Sequence, residues 1–243
     1  MPQAQASAQG ITFRALPGAL TATRAGRFLW RKTGPLAHPT RLELLANPGK
    51  LLLLSEENSF IGSQIILSAY ALQTGKLLWQ TPILENYANA SAGMRGSAGQ
   101  TLVLSAVSGE PMTGKVQGIA LETGNVRWTA RQDLVGYTDI EALVIDLGTG
   151  AQPMNSAGLL PLNRITLATG KMASFTVKLP NRPNCGPMNY QGSIPSLTFA
   201  HKFLYALRQD SCGPFIARVD WHGGAAQTPL LYPDRRNAAP AVK

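Results

Sequence analysis

Short apolar runs that alternate with turn-forming residues fill this chain of 243 residues. Five of the runs have the length and composition of strands: ITFRAL, KLLLLSE, QTLVLSA, EALVIDL and KFLYALR. Three of these five runs follow Gly or Pro-Gly sequences that are typical of tight turns. Apolar runs of this length between turn signals predict β-strands rather than helices.

A second landmark, a glycine turn followed by a large side chain, repeats with these strands. In AYALQTGKLLWQ (69–80) and GIALETGNVRWTA (118–130), the fourth residue after Thr-Gly is Trp. TATRAGRFLWRK and NRITLATGKMASF are weaker copies, and ARVDWHGGAAQT keeps only the glycine. A repeat of about 40 to 50 residues with β-type alternation is typical of propeller blades. The glycines, at intervals of 49, 49, 46 and 53 residues, are Gly26, Gly75, Gly124, Gly170 and Gly223.

The predicted fold is an all-β, five-bladed β-propeller of four-stranded antiparallel blades. We interpret residues 1–234 as a single domain and residues 235–243 as a flexible tail. Each repeat reads as inner strand A, a turn, strand B, a variable loop, strand C, the glycine turn and outer strand D. We expect a closed monomeric ring, because an open ring leaves edge strands exposed. The alternative is a ring that another copy or a partner completes.

The aromatic residue after each glycine turn is predicted to join neighbouring blades. Glycine supplies the positive φ of a two-residue hairpin turn, and a β-branched Thr can end the strand before it. The aromatic side chain then stands on strand D, where it can cover the seam to the next blade. These structural staples are Trp30, Trp79, Trp128 and Phe175.

The two best copies resemble repeats of the PQQ-like β-propeller superfamily, whose blades read Leu-Asp-x-x-Thr-Gly-x-x-x-Trp. Members include quinoprotein dehydrogenases and the propeller lipoprotein of the outer-membrane barrel-assembly machinery. The members have seven or eight blades, whereas this chain has room for five. The resemblance implies a propeller but not a quinone enzyme, because the dehydrogenases' adjacent cysteines and calcium-binding cluster have no counterpart here. We therefore predict no PQQ, no other cofactor, no metal site and no catalytic residues.

The propeller topology separates two faces. The A–B and C–D turns form one face, called the turn face below, and the B–C loops and D–A connections form the other, the loop face. Longer loops are expected on the loop face at 55–64, 107–117 and 148–163, with connections at 81–93, 131–138 and 180–195. Loops on a rigid scaffold commonly carry function. The hypothetical ligand-facing residues at the funnel mouth are Tyr87, Asn89, Arg95, Tyr137, Asn189 and Tyr190.

The two cysteines fall on this loop face. Cys185 is predicted in the connection entering the last blade and Cys212 in the B–C loop of that blade, so the two can form a disulfide. A disulfide, like the resemblance, would indicate an extracytoplasmic location. Two thiols in a reducing cytoplasm are the alternative. The first residues, MPQAQASAQG, resemble the start of a mature exported protein whose signal peptide has been removed.

Composition adds few candidates for chemistry. Hydrophobic residues are 44% and charged residues 14%, which is typical of a globular protein, and no apolar stretch is long enough for a membrane span. The net charge of +9 is scattered, so nucleic-acid binding is only a second alternative function. A glycoside hydrolase is the first alternative, since it needs paired carboxylates. The crowded acidic residues are Asp133, Asp139, Glu141 and Asp146.

The preferred interpretation is a non-enzymatic binding or scaffold protein of the cell envelope. It would hold a protein or glycan partner on its loop face or in its central funnel. Three or more carboxylates at the funnel would favour the hydrolase, whereas Tyr, Asn and Arg would favour binding.

Overall fold

The protein is built from strands and turns. The computed structural model describes residues 2–34, 38–59, 62–87, 91–108, 113–146, 159–179, 185, 196–200, 203–220 and 230–231. Within these residues, 20 strands form five sheets of four antiparallel strands each. The same residues include no helix long and apolar enough to cross a membrane. The predicted all-β fold of five four-stranded blades is confirmed.

Each blade uses four consecutive strands, in the order A, B, C and D. Blade 1 has β1 (Ala4–Ala8), β2 (Ile11–Leu16), β3 (Ala19–Arg24) and β4 (Arg27–Lys32). Blade 2 has β5 (Arg41–Asn47), β6 (Lys50–Ser59), β7 (Gly62–Ala71) and β8 (Leu77–Tyr87). Blade 3 has β9 (Ser91–Ala98), β10 (Thr101–Ser108), β11 (Thr113–Ala120) and β12 (Val126–Ala130). Blade 4 has β13 (Asp133–Tyr137), β14 (Glu141–Ile145), β15 (Leu159–Thr166) and β16 (Met172–Lys178). Blade 5 has β17 (Ser196–Ala200), β18 (Phe203–Asp210), β19 (Gly213–Asp220) and β20 (Leu230–Leu231).

The hydrophobic core lies in the seams between successive blades. Four clusters of buried side chains fill the seams 1–2, 2–3, 3–4 and 4–5. The leucine run of β6 shows how one strand serves two seams. Leu51 and Leu53 belong to the cluster shared with blade 1, whereas Leu52 and Leu54 belong to the cluster shared with blade 3. A continuous apolar run is therefore a strand that is buried on both faces.

Successive blades pack side by side along the described part of the chain, and the closure of the ring stays a prediction. Extensive strand packing joins each blade to the next, and no packing of that extent joins the described strands of blade 5 to those of blade 1. The outer faces of the two end blades also differ. On β2 of blade 1, Thr12 and Arg14 occupy the face opposite to the buried Phe13. On β18 of blade 5, the corresponding face carries Tyr205 and the half-exposed Leu207.

The glycine turns of blades 2 to 4 differ from the predicted two-residue hairpin. In blade 2, Gly75 N donates to Ala71 O at 2.9 Å and Ala71 N donates to Lys76 O at 2.9 Å, so four residues lie between the paired ends. Thr74 lies inside this turn, where its hydroxyl accepts a hydrogen bond from Lys76 N at 3.3 Å. The prediction that Thr ends strand C is wrong, because its hydroxyl is used to fold the turn.

Blade 1 has the shorter turn. Arg24 pairs with Arg27 across Ala25-Gly26, and these two residues have φ values of 48° and 76°. Positive φ at both central residues is the geometry of a type I′ hairpin. Blade 1 also lacks the Thr of the motif, so the missing hydroxyl and the shorter turn occur together.

Two of the expected long loops of the loop face, at 55–64 and 107–117, are largely strand where the structure describes them, whereas the loop at 148–163 and the connection at 180–195 lie mostly outside the described residues. β6 extends to Ser59 and β7 begins at Gly62, and the two strands stay paired up to Ser59 and Gly62. In blade 3 the pairing continues to Ser108 and Thr113. Polar residues such as Glu57 suggested loops. Where a hairpin extends beyond the hydrophobic core, however, its residues can be polar although its backbone remains paired. The expected connections at 81–93 and 131–138 are also mainly strand.

Candidate functional site

The three tryptophans connect each of the first three blades to the next one. Each indole N–H donates to the carbonyl of a leucine that stands three residues before the next turn glycine. The bonds are Trp30 to Leu72 at 3.0 Å, Trp79 to Leu121 at 3.0 Å and Trp128 to Leu167 at 2.9 Å. The acceptor leucines also donate their own N–H groups to the A–B turns, so one leucine connects two blades. The bonds to the A–B turns are Leu72 N to Gly49 O, Leu121 N to Gln100 O and Leu167 N to Ile140 O.

The turn glycine leaves room for the indole of the preceding blade. A Cβ atom at Gly75 would lie 2.6 Å from the Trp30 ring, and one at Gly124 would lie 2.5 Å from the Trp79 ring. Gly170 faces Trp128 in the same way, whereas a Cβ at Gly26 would have open space around it. The glycine of the motif therefore has two roles. It leaves space for the indole of the preceding blade, and it allows the positive φ of its own turn.

A β-bulge turns each tryptophan toward the next blade. In blade 2, Leu77 pairs with Tyr70 and Trp79 pairs with Ala69, so Leu78 is the extra residue. Blades 1 and 3 have the same irregularity before their tryptophans. Because a shift of one residue moves a side chain to the other side of the sheet, the bulge decides which seam receives the indole.

Blade 4 reaches the same result without a bulge. Its pairing runs regularly from Met172 opposite Ile165 to Phe175 opposite Leu162. The aromatic residue comes one position later in this sequence, which compensates for the missing extra residue. Phe175 packs against the cluster of the seam between blades 4 and 5, and the Arg164 guanidinium lies 5.4 Å from its ring centroid. The phenyl ring of Phe175 carries no hydrogen-bond donor, so it cannot bind the neighbouring backbone as the indoles do.

Polar side chains on three successive inner strands form the candidate binding site. On β5, Arg41 makes an ion pair with Glu43 and donates to Ser91 Oγ of β9 at 2.9 Å. Glu43 also accepts a hydrogen bond from Met94 N at 2.9 Å. The Arg41 side chain remains 45% exposed. A guanidinium whose orientation is fixed by its neighbours but which still faces solvent is suited to binding an anionic group.

The inner strands of blades 3 and 4 continue this site. Arg95 is the bulge residue of β9, and its Nε donates to Ser105 Oγ at 2.6 Å. Its carbonyl accepts the Tyr137 hydroxyl of β13 at 2.7 Å. Gly96 has a φ of 137°, and a Cβ there would collide with the Tyr137 hydroxyl. The bulge and the glycine therefore position an exposed arginine beside a half-buried tyrosine. We call Arg41, Glu43, Ser91, Arg95 and Tyr137 the inner-strand cluster.

The hypothetical ligand-facing residues do not lie together at one mouth of the funnel where the structure describes them. Arg95 and Tyr137 come together, but Tyr137 ends β13 beside the A–B turn, at the turn end of the strand rather than at the loop mouth. Tyr87 ends β8, where its backbone pairs with Ser63. Asn89, Asn189 and Tyr190 lie outside the described residues.

Sequence reasoning missed Arg41, Glu43 and Ser91. Their signal was available, because each is a polar residue near the start of a strand that the repeat had assigned as A.

The carboxylates that suggested a hydrolase divide between the two ends of blade 4. Asp133 pairs with Ile145, next to Asp146, whereas Asp139 and Glu141 lie at the A–B turn. Asp146 stands five positions after Glu141, at the other end of β14, which is roughly 16 Å away. Across the described residues, no group of three or more His, Cys, Asp or Glu side chains is arranged to hold a metal.

Two ionisable groups outside the inner-strand cluster have shifted pKa values. Burial lowers the pKa of Lys115, and the nearby Arg131 lowers it further. Burial raises the pKa of the Tyr70 phenol, which lies in the seam between blades 1 and 2. Both pKa shifts result mainly from burial of the ionisable group.

The predicted disulfide is confirmed. Cys185 and Cys212 are bonded, with their Cα atoms 5.7 Å apart. Cys212 lies in the tight turn between β18 and β19, which is the B–C loop of blade 5. The bond therefore attaches the segment that precedes blade 5 to the body of that blade.

Comparison with known proteins agrees with this architecture. No protein-family model matches the chain, and no curated protein matches it. The crystal structure of BamB from Moraxella catarrhalis is similar, with a TM-score of 0.50 and 13% identity over 93% of this chain and 62% of that one. The structure of BBS1N in complex with ARL6DN gives a TM-score of 0.40 and 11% identity over 92% of this chain and 64% of that one. This chain thus spans less than two thirds of the length of either protein. Together with the five four-stranded blades, the similarity to BamB shows that the chain has a β-propeller fold.

Proposed function

We propose that this chain is a non-enzymatic propeller scaffold of the cell envelope that holds a protein partner on its inner-strand cluster. The observation that carries the proposal is the chemistry of the inner strands. Arg41 and Arg95 are exposed, and neighbouring side chains fix the orientation of both. Arginine and tyrosine are enriched at protein interfaces, where guanidinium groups bind carboxylates and backbone carbonyls. A partner segment that carries Asp or Glu suits this surface.

The same strands argue against a glycoside hydrolase. The five described inner strands carry two carboxylates, Glu43 and Asp133. Glu43 is bound by Arg41 and by Met94 N, and Asp133 lies on a strand two blades away, against Gly114 of β11. A hydrolase needs two carboxylates at roughly 5 to 10 Å across one sugar. The two inner-strand carboxylates are not arranged as such a pair.

The envelope location rests on the disulfide. Cys185 and Cys212 are the two cysteines of the chain, and both are in the bond. Structural disulfides persist in oxidising compartments and are rare in the cytoplasm. Alkylation of intact cells with and without prior reduction tests this point, and free thiols in freshly lysed cells would contradict it.

Site-specific photo-crosslinking in the native cells tests the binding surface. A photoreactive amino acid at position 41 or 95 is expected to give a discrete adduct with a partner protein. Arg14, an exposed arginine on β2 of blade 1, provides the control position, where we expect no such adduct. Arg95→Gln should weaken capture of the partner by at least about tenfold, whereas Arg14→Gln should leave capture unchanged.

Two results would overturn the proposal. One is equal adduct formation at positions 14, 41 and 95, which would mean that the inner strands have no special role. The other is hydrolysis of a polysaccharide by the purified chain with loss of activity in Asp133→Asn, which would establish the hydrolase instead.

A further inference from the structure

The exposed hydrophobic side chains of this protein are concentrated on the turn face. Nine large hydrophobic residues are exposed among those described, and seven of the nine lie in or directly after the turns of that face. The other two, Leu16 and Leu207, lie on strand B of the end blades, toward the loop face. The seven are Phe28, Leu29, Leu77, Leu78, Val126, Ile140 and Met172.

Four of the seven occupy the same place in successive blades. Phe28, Leu77, Val126 and Met172 each stand two residues after a turn glycine, at the beginning of strand D. Their exposed fractions are 64%, 47%, 42% and 46%, respectively. Residues at equivalent positions of a propeller lie at the same height along its axis. These side chains are therefore close to one plane around the rim of the turn face.

Ile140 adds an apolar group to the same face. It lies in the A–B turn of blade 4 and is 65% exposed, the largest fraction among the nine. Its carbonyl accepts the Leu167 N–H at 2.8 Å, so its backbone is fixed to the C–D turn of the same blade. The apolar groups are thus carried by turns that are bonded to each other rather than by mobile loops.

Cations accompany these apolar groups. Five exposed basic residues lie in or beside the C–D turns, at Arg24, Arg27, Lys76, Arg127 and Lys171. The exposed acidic residues of the described turns are Glu122 and Asp139. The turn face is therefore positive, in keeping with the net charge of +9 for the chain.

We propose that the turn face docks on an anionic lipid bilayer, with its rim side chains in the headgroup region. A plane of apolar groups interleaved with cations fits the flat, negatively charged surface of a membrane. Phe28 and Ile140 would enter the interface most deeply, and the basic side chains would contact lipid phosphates. Arg41 and Ser91 begin the A strands of blades 2 and 3 at the loop face, so this end of the inner-strand cluster remains accessible in this orientation.

Flotation with vesicles tests the docking surface directly. We expect the purified chain to float with vesicles that contain phosphatidylglycerol, and to remain unbound with vesicles of phosphatidylcholine alone. Each removed cation, as in Lys76→Gln or Lys171→Gln, should reduce partitioning by about fivefold, and added salt should weaken binding further. Phe28→Ser should reduce it by about tenfold.

Leu16→Ser and Leu207→Ser are the matched controls, because both residues are exposed leucines away from the turn face. Both variants should float as the unmodified chain does. A Phe28→Trp variant supplies a second measurement, since brominated lipids should quench its added fluorescence relative to the unmodified chain.

The proposal fails if anionic and neutral vesicles bind the chain equally, or if neither binds it at low salt. It also fails if the control substitutions reduce flotation as strongly as Phe28→Ser. Binding of an acidic protein through Lys76 and Lys171 without any binding to vesicles would mean that the turn face is a protein interface instead.

Discussion

The three seams that join blades 1 to 4 differ from the one that joins blades 4 and 5. The first three combine an indole N–H, a leucine carbonyl and a glycine of the next blade. The last uses Phe175 with Arg164 stacked on it, and a disulfide in blade 5. The apolar burial is retained, but the hydrogen bond comes from a different side chain: Arg208 of β18 donates to the carbonyl of Leu179, which follows β16, at 3.3 Å. The difference suggests that a blade can depart from the repeat when another constraint replaces the lost one.

The largest effect is expected from removing one of the indoles. Trp128→Ala should lower the free energy of unfolding by roughly 3–5 kcal/mol, because it leaves a cavity and removes the shorter of the two side-chain hydrogen bonds to the Leu167 carbonyl. Phe175→Ala should cost less, about 2 kcal/mol, because Phe175 is only partly buried and makes no such bond. Urea denaturation measures both. Equal losses would mean that the indole hydrogen bond adds nothing to the first three seams.

The disulfide should give the next largest effect, and a local one. Replacing Cys185 and Cys212 with Ser should cost about 3.5 kcal/mol, from the entropy of a loop that is closed over a sequence separation of 27. Hydrogen exchange should rise in β18 and β19 and stay unchanged in blade 2. If the increase spreads evenly over all blades, then the disulfide supports the whole propeller rather than blade 5 alone.

Two glycines allow the seam and the turn to be separated. Gly26 and Gly124 both have a φ of 76°, but only Gly124 has an indole against it. Gly26→Ala should cost about 1 kcal/mol, from the left-handed backbone alone. Gly124→Ala should cost at least about 3 kcal/mol, because the methyl group would also displace Trp79. Thermal unfolding of the two variants checks this, and equal costs would show that the indole moves aside freely.

The repeat made most of the fold predictable, because each strand and turn could be checked against its copies. The glycine and the aromatic residue of the motif were found in this way, and so were both ends of the disulfide. The β-bulge at Leu78 was not predictable, since a spacing of four residues does not reveal an extra unpaired position. Blade 4 shows the reason, because Phe175 reaches the same side of the sheet with a spacing of five and no bulge.

The candidate site was predicted less well than the fold. Arg95 and Tyr137 were selected, but the reason given for Tyr137 placed it in a connection, whereas it ends a strand. Arg41 and Glu43 were missed because they occur in one blade and have no copies for comparison. Ring closure stays a prediction, since it depends on the angle between blades rather than on the content of any one blade.

The smallest expected effect concerns the threonine of the motif. Thr74→Val keeps the shape of the side chain but removes the hydroxyl that accepts the Lys76 N–H, so it should cost about 0.5–1 kcal/mol. Thr74→Ser keeps the hydroxyl and should restore most of this stability. The same turn carries Leu72, whose carbonyl accepts the Trp30 indole, so a distorted turn should also alter the environment of Trp30. A shift in tryptophan fluorescence with Thr74→Val but not with Thr74→Ser would show that threonine sets the turn that the seam needs. Without such a shift, the turn would depend on its backbone bonds alone, and the seams of blades 2 to 4 would need only the glycine.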